Sequence, residues 1–149
     1  MRSTDFGPDC RVLDVRRSIW RGQEQEPKTS NAVRVVDIPE VLAERLRPYV
    51  AGANGYLFAT EQGSPLNQRN VLRVLHAHKL VGFHAFRHFR LSALRKNGVP
   101  EDLERYWMGH ASEDVGDPYS KLKNDVACRQ GWAERFGLGF ALLTLVHKT

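Results

Sequence analysis

Between Arg11 and Trp20 apolar residues recur on one face of the chain. Leu13, Val15 and Ile19 fall on one face at period two, which predicts a β-strand. Gly22 to Asn31 is polar and contains Pro27, so it reads as a loop. Val33 to Ile38 is rich in β-branched residues and predicts a return strand, completing an antiparallel hairpin. After Pro39 the period lengthens to that of helices. Pro39 opens the first, with Val41, Leu42 and Leu46 as its apolar stripe and Pro48 limiting it. Tyr56 to Ala59 is a short apolar run between Gly55 and the Gly63-Ser64-Pro65 turn. Asn67 is placed to cap a second helix running to about Lys79, with Val71, Leu72 and Leu75 facing inward. A third runs from His84 to Lys96, ended by Asn97-Gly98, and its expected buried face is Phe86, Phe89, Ala93 and Leu94. Pro100 starts a shorter fourth helix through Trp107. Its first turn carries Glu101, Asp102 and Glu104, where negative charge is favoured, and Gly109 breaks it. A last helix spans about Asn124 to Arg135, with Val126, Trp132, Ala133 and Phe136 at core spacing and Gly137 closing it. The pattern predicts an α+β fold in one domain, 1–149: a small antiparallel sheet beside five or so helices.

Composition adds bounds. At 149 residues, 42% hydrophobic and 26% charged, the chain has the make-up of an ordinary globular domain with a real core. Its longest apolar run, Phe140 to Val146, is far too short to cross a bilayer. No secretory signal follows Met1, and Cys10 and Cys128 have no metal or redox spacing, so a reduced, cytoplasmic protein is expected. The net charge of +5 permits a polyanionic partner without requiring one.

The densest chemistry lies between His84 and Tyr119. His84 and Arg87 are three apart and share one face of a helix. Gly109-His110 follows at the end of the next helix, and Tyr119 sits in a loop-like Asp-Pro-Tyr context. These residue types suit a phosphodiester. Arginine offers a permanently charged planar fork to non-bridging oxygens. Histidines pass protons or donate hydrogen bonds near neutrality. A tyrosine hydroxyl can attack and form a covalent intermediate, and a lysine such as Lys28 can protonate the leaving oxygen. Such a set needs no metal and no cofactor. Each residue also has a plainer reading. Tyr119 and Lys28 would serve as surface residues, His110 as part of a helix cap, and Arg69 and Arg73, four apart on the second helix, as a solvated basic stripe rather than phosphate contacts. His84 and His88 have the spacing of a metal pair, but no third ligand is evident, so a metal-dependent hydrolase is the reading from another class.

The stretch His84-x-x-Arg87, Gly109-His110, Tyr119 resembles the signature of the tyrosine recombinases, the phage-integrase family. The gaps fit: 110 − 87 = 23 and 119 − 110 = 9. Pro27-Lys28-Thr29 followed by Val33 to Pro39 resembles the family's lysine-bearing hairpin. The resemblance implies Tyr119 as nucleophile and a 3′-phosphotyrosyl intermediate. Arg87 and His110 would hold the phosphate, His84 would assist proton transfer, and Lys28 would act as general acid. It also implies double-stranded DNA as partner, no cofactor, and, for the full-length protein, a homo-oligomer, a tetramer on DNA, with the apolar tail Leu138–Thr149 docking on a neighbour or folding back on its own domain when alone. The family carries a further arginine on a helix before the hairpin and a separate DNA-clamping domain upstream. Neither is found here, so the expectation is a truncated catalytic domain that binds duplex weakly and cleaves poorly or not at all. A DNA-binding remnant without cleavage is the alternative.

Overall fold

The structure, a computed structural model, describes residues 1–20, 22–27, 29, 32–110, 122 and 124–142. Strand β1 (Val12–Val15) pairs antiparallel with β4 (Arg34–Asp37), in register from Val12 opposite Asp37 to Val15 opposite Arg34. Strand β2 (Ser18–Trp20) pairs with β3 (Gln23–Gln25). The predicted Arg11–Trp20 strand is therefore two strands, parted at Arg16-Arg17, and the predicted polar loop holds a third. Gln23-Glu24-Gln25 has no strand propensity of its own. Its pairing is held from outside the hairpin, because Glu24 accepts hydrogen bonds from Arg2 Nε at 2.7 Å and from the Tyr56 hydroxyl at 2.9 Å.

Among the described residues five α-helices follow: α1 (Glu40–Gly52), α2 (Gln68–Ala77), α3 (Phe83–Lys96), α4 (Glu101–Met108) and α5 (Val126–Phe136). The architecture is α+β, as the pattern predicts. Asn67 caps α2 by accepting from the Arg69 N–H, and Asp125 caps α5 by accepting from that of Cys128. Helix α1 runs through Pro48 instead of stopping there. Pro48 and Glu44 are both exposed, so the missing helix bond falls on the solvent side, where water can replace it.

The core has two parts. Cys10, Ile38 and Ala43 are buried between β1, β4 and α1, with Phe6, Leu13, Leu42, Leu46 and Val50 around them. Leu94, Val99, Leu103, Trp107, Met108 and Ala133 form the second, among α3, α4 and α5. Each fully buried leucine here contributes about 1.5–3 kcal/mol over an exposed one. Strand β4 joins the two parts. The buried Asp37 carboxylate accepts from Trp107 Nε1 at 2.8 Å and from Arg129 Nε at 2.9 Å, and the Tyr106 hydroxyl accepts from the Val35 N–H at 3.0 Å.

Two predicted faces are rotated. Phe86 and Phe89 are 51% and 46% exposed, so they do not anchor α3. The inward stripe is Arg87, Arg90, Leu91 and Leu94, half of it cationic, and that hid it from a reading of apolar spacing. Val126 is likewise exposed, because the inward positions of α5 are Arg129 and Ala133, with Trp132 and Phe136 packed at the edge of the core.

Candidate active site

The site is built around the C-terminal end of α4. Gly109 takes the left-handed conformation, φ 67° and ψ 36°, which glycine adopts without the clash a Cβ brings. Its N–H donates to the Tyr106 carbonyl at 3.1 Å, and the His110 N–H donates to that of Arg105 at 3.0 Å. This double closure is the Schellman motif. It fixes the main chain of His110 as the first residue beyond the helix, with the residue itself exposed to solvent.

Two arginines reach the same helix end from different elements. Arg87, on α3, donates from Nη2 to the Met108 carbonyl at 2.8 Å. Arg34, on β4, donates from Nε to the neighbouring Trp107 carbonyl at 2.9 Å and from Nη1 to the Ala32 carbonyl at 3.0 Å. Both side chains are partly buried. Burial, and after it the charge of Arg87, pull the Arg34 guanidinium below its usual pKa, although Tyr106 acts slightly the other way. The last-turn carbonyls carry the negative end of the helix dipole, which favours cations here. Farther along α3, Arg90 donates to the Gly137 carbonyl at 2.9 Å and lies over the Phe136 ring, 4.2 Å from its centroid. Burial pushes its pKa down to about 10.

Among the described residues no carboxylate forms an ion pair with Arg34, Arg87 or Arg90. Elsewhere the fold supplies one. Arg129 meets Asp37 at 2.9 Å, Arg17 meets Asp5 at 2.8 Å, and Arg95 meets the buried Glu104 at 3.0 Å.

The structure thus brings Arg87 to the helix end that carries His110. His84 lies one turn before Arg87 and is exposed, its ring edge-on to that of His88 with centroids 4.4 Å apart. His88 is exposed beside it. Arg69 and Arg73 are exposed on α2, and Arg73 donates to the Asn70 side chain at 2.9 Å. Lys28 and Tyr119, and the Asp114–Pro118 link, lie outside the described residues. Among the described residues no group of three His, Cys, Asp or Glu is placed to hold a metal ion. None of their helices is long and apolar enough to cross a membrane. Sequence reasoning missed Arg34 and the Asp37–Arg129 pair. The available signal was the R-V-V-D of the return strand, two charges inside a β-branched run.

The chain is 30% identical, over 152 aligned positions, to a protein described as tyrosine recombinase XerC-like from Caldanaerobacter subterraneus subsp. tengcongensis. The match covers 77% of this chain and 38% of that relative, so the chain spans well under half the relative's length. The likeness supports the tyrosine recombinase family. No family model matches the chain, and no solved structure matches it.

Proposed function

We propose that the chain is the catalytic-type part of a tyrosine recombinase, which cuts and rejoins duplex DNA at specific sites. The observation that carries this is the bond from Arg87 to the Met108 carbonyl. It joins the two halves of the His84-x-x-Arg87 and Gly109-His110 pattern, which lie on separate helices. The likeness to the XerC-like relative supports the same reading.

In this reading the Tyr119 hydroxyl attacks the scissile phosphorus. A Tyr119 O–P bond forms and the P–O5′ bond breaks. Arg87 and His110 hold the non-bridging oxygens as charge gathers there. The tyrosine gives up its proton with assistance from His84, and Lys28 protonates the departing 5′ oxygen. Rejoining is the reverse: a 5′-hydroxyl attacks the 3′-phosphotyrosyl link and releases the tyrosine. The bond energy is stored in the covalent intermediate, so no cofactor takes part.

The test is covalent trapping on a nicked suicide duplex. Three proteins are compared: the 149-residue chain, the chain extended N-terminally by the arginine-bearing helix that the resemblance implies, and the extended chain with Tyr119→Phe. Removing one donor to a developing oxyanion typically costs about 10²–10³ in rate. A strong adduct is therefore expected from the second protein, little from the first and none from the third. Adduct from the Phe variant would remove Tyr119 as nucleophile. Duplex binding with no adduct from either tyrosine-bearing protein would leave a DNA-binding chain that does not cleave.

A further inference from the structure

We infer that Arg34 and Arg87 act as one anion-binding pair across the end of α4, and that the ligand they take is a phosphate group. For the identity of that phosphate as a DNA phosphodiester, the inference rests on the function proposed above; the pair itself rests on geometry.

The two guanidiniums come from β4 and α3 and are anchored to consecutive carbonyls, Trp107 and Met108. Anchoring to adjacent carbonyls brings two like charges together in a partly desolvated place. The helix end supplies roughly half an elementary charge against two cations. No carboxylate among the described residues completes the balance, whereas the buried Arg129 is matched by the buried Asp37 in the same fold. A guanidinium has five N–H donors. The bonds described use two on Arg34 and one on Arg87. Two planar forks with donors to spare, bonded to consecutive carbonyls and each sensing the other's charge, suit a tetrahedral anion whose several oxygens accept from both. Burial first, and after it the charge of Arg87, depress the pKa of Arg34, and a shared anion would offset the second of these.

Arg34 thus joins Arg87 as a phosphate contact. It also ties β4, the strand that follows the Lys28 segment, to the helix end that precedes His110. A carboxylate from elsewhere in the chain that neutralised the pair is the competing arrangement, and it predicts no phosphate binding here.

The experiment uses the 149-residue chain and inorganic phosphate at constant ionic strength, balanced with chloride. Thermal melting and calorimetric titration are run on wild type, Arg34→Gln, Arg34→Lys, Arg87→Gln, the double Gln variant, and Arg47→Gln as a charge control. Arg47 pairs with Glu40, away from α4. Phosphate should raise the Tm of wild type and of the control. Losing a charge-assisted contact should weaken phosphate binding by about 10–100-fold in each single Gln variant. The double variant should lose less than the product of the two, because both residues serve one ligand. Arg34→Lys keeps the charge and loses the fork, so it should fall between. Melting without phosphate reports folding separately. Phosphate binding by Arg34→Gln or Arg34→Lys at wild-type strength, or no binding by wild type, would overturn the pair.

Duplex DNA separates this inference from the reading it extends. Intact phosphate coupling with no covalent adduct from the extended, tyrosine-bearing protein in the trapping assay above would sink the recombinase reading and leave the pair standing. An adduct that needs Tyr119 and Arg87 but ignores Arg34 would do the reverse.

Discussion

Asp37 shows how much one side chain can hold. Its carboxylate is fully buried and accepts from Trp107 on α4 and Arg129 on α5, and Arg129 in turn lies 5.6 Å from the Tyr106 ring centroid. Removing one partner of a buried pair leaves an uncompensated charge, which costs about 3–5 kcal/mol. Asp37→Ala should lower unfolding stability by that amount in urea denaturation; a loss under about 1 kcal/mol would show that other partners of Arg129, or water, take over from the carboxylate. Arg90 is the opposite case. Burial pushes its pKa down to about 10 from its higher ordinary value, so the fold disfavours the cation that the unfolded chain keeps. The unfolded state then holds more protons between those two values, and this contribution to stability rises with pH across that window. At neutral pH the full penalty is present. Arg90→Met, which keeps the stem and drops the charge, should be within about 0.5 kcal/mol of wild type or more stable. A clear loss in chemical denaturation would mean that the bond to Gly137 and the stack on Phe136 outweigh desolvation. Neither arginine was legible at this scale from sequence. A periodicity search scores apolar residues, and the inward positions 87, 90 and 129 are cations whose burial depends on partners distant in the chain.

At the scale of elements, the signals that succeeded are local. Asn67, Asn97-Gly98, Pro100 and Gly109 mark helix ends because a cap or a left-handed turn is decided within a few residues, and the structure has helix boundaries at each. What failed is non-local. The strand Gln23–Gln25 exists because Arg2 and Tyr56 reach Glu24 from elsewhere, and no window around residue 24 contains them. Gly109 gives the sharpest element-level prediction. Gly109→Ala places a Cβ at φ 67°, at a cost of about 1–2 kcal/mol. The helix should still form, since its core residues are untouched. The bond from the His110 N–H to Arg105 should loosen, visible as faster amide exchange at residue 110. Unchanged exchange there would mean that His110 is held by something other than the turn.

For the whole molecule, the α+β class was legible, because the switch from period two to period 3.6 near Pro39 is a property of the entire chain. The arrangement of the candidate site was legible only as an order of residues along the sequence. That Arg87 meets the end of α4 depends on how α3 packs against it, and Arg34 enters only through the β1–β4 register. The net charge of +5 also belongs here. If phosphate contacts dominate duplex binding, log K should fall linearly with log salt, by about 0.9 per phosphate neutralised. Binding that changes little between low and physiological salt, measured by fluorescence anisotropy, would contradict a phosphate-led interface.

Strand β4 has a mechanical consequence. Arg34 grips the last turn of α4, Val35 is pinned to Tyr106, and Asp37 clasps Trp107 and Arg129, all within four residues. A strand fastened at so many points behaves as a stiff rod, and displacement at its leading end is delivered to the helix end. A displacement of β4 is therefore passed to the Trp107 carbonyl and, through the last turn of α4, to the end that carries His110. Trp107→Phe unfastens one clasp and spares most of the packing. It should speed amide exchange in β4 and in the last turn of α4 together, by similar factors, while α1 and α2 keep their rates. Exchange that quickened in only one of the two would show that they move independently.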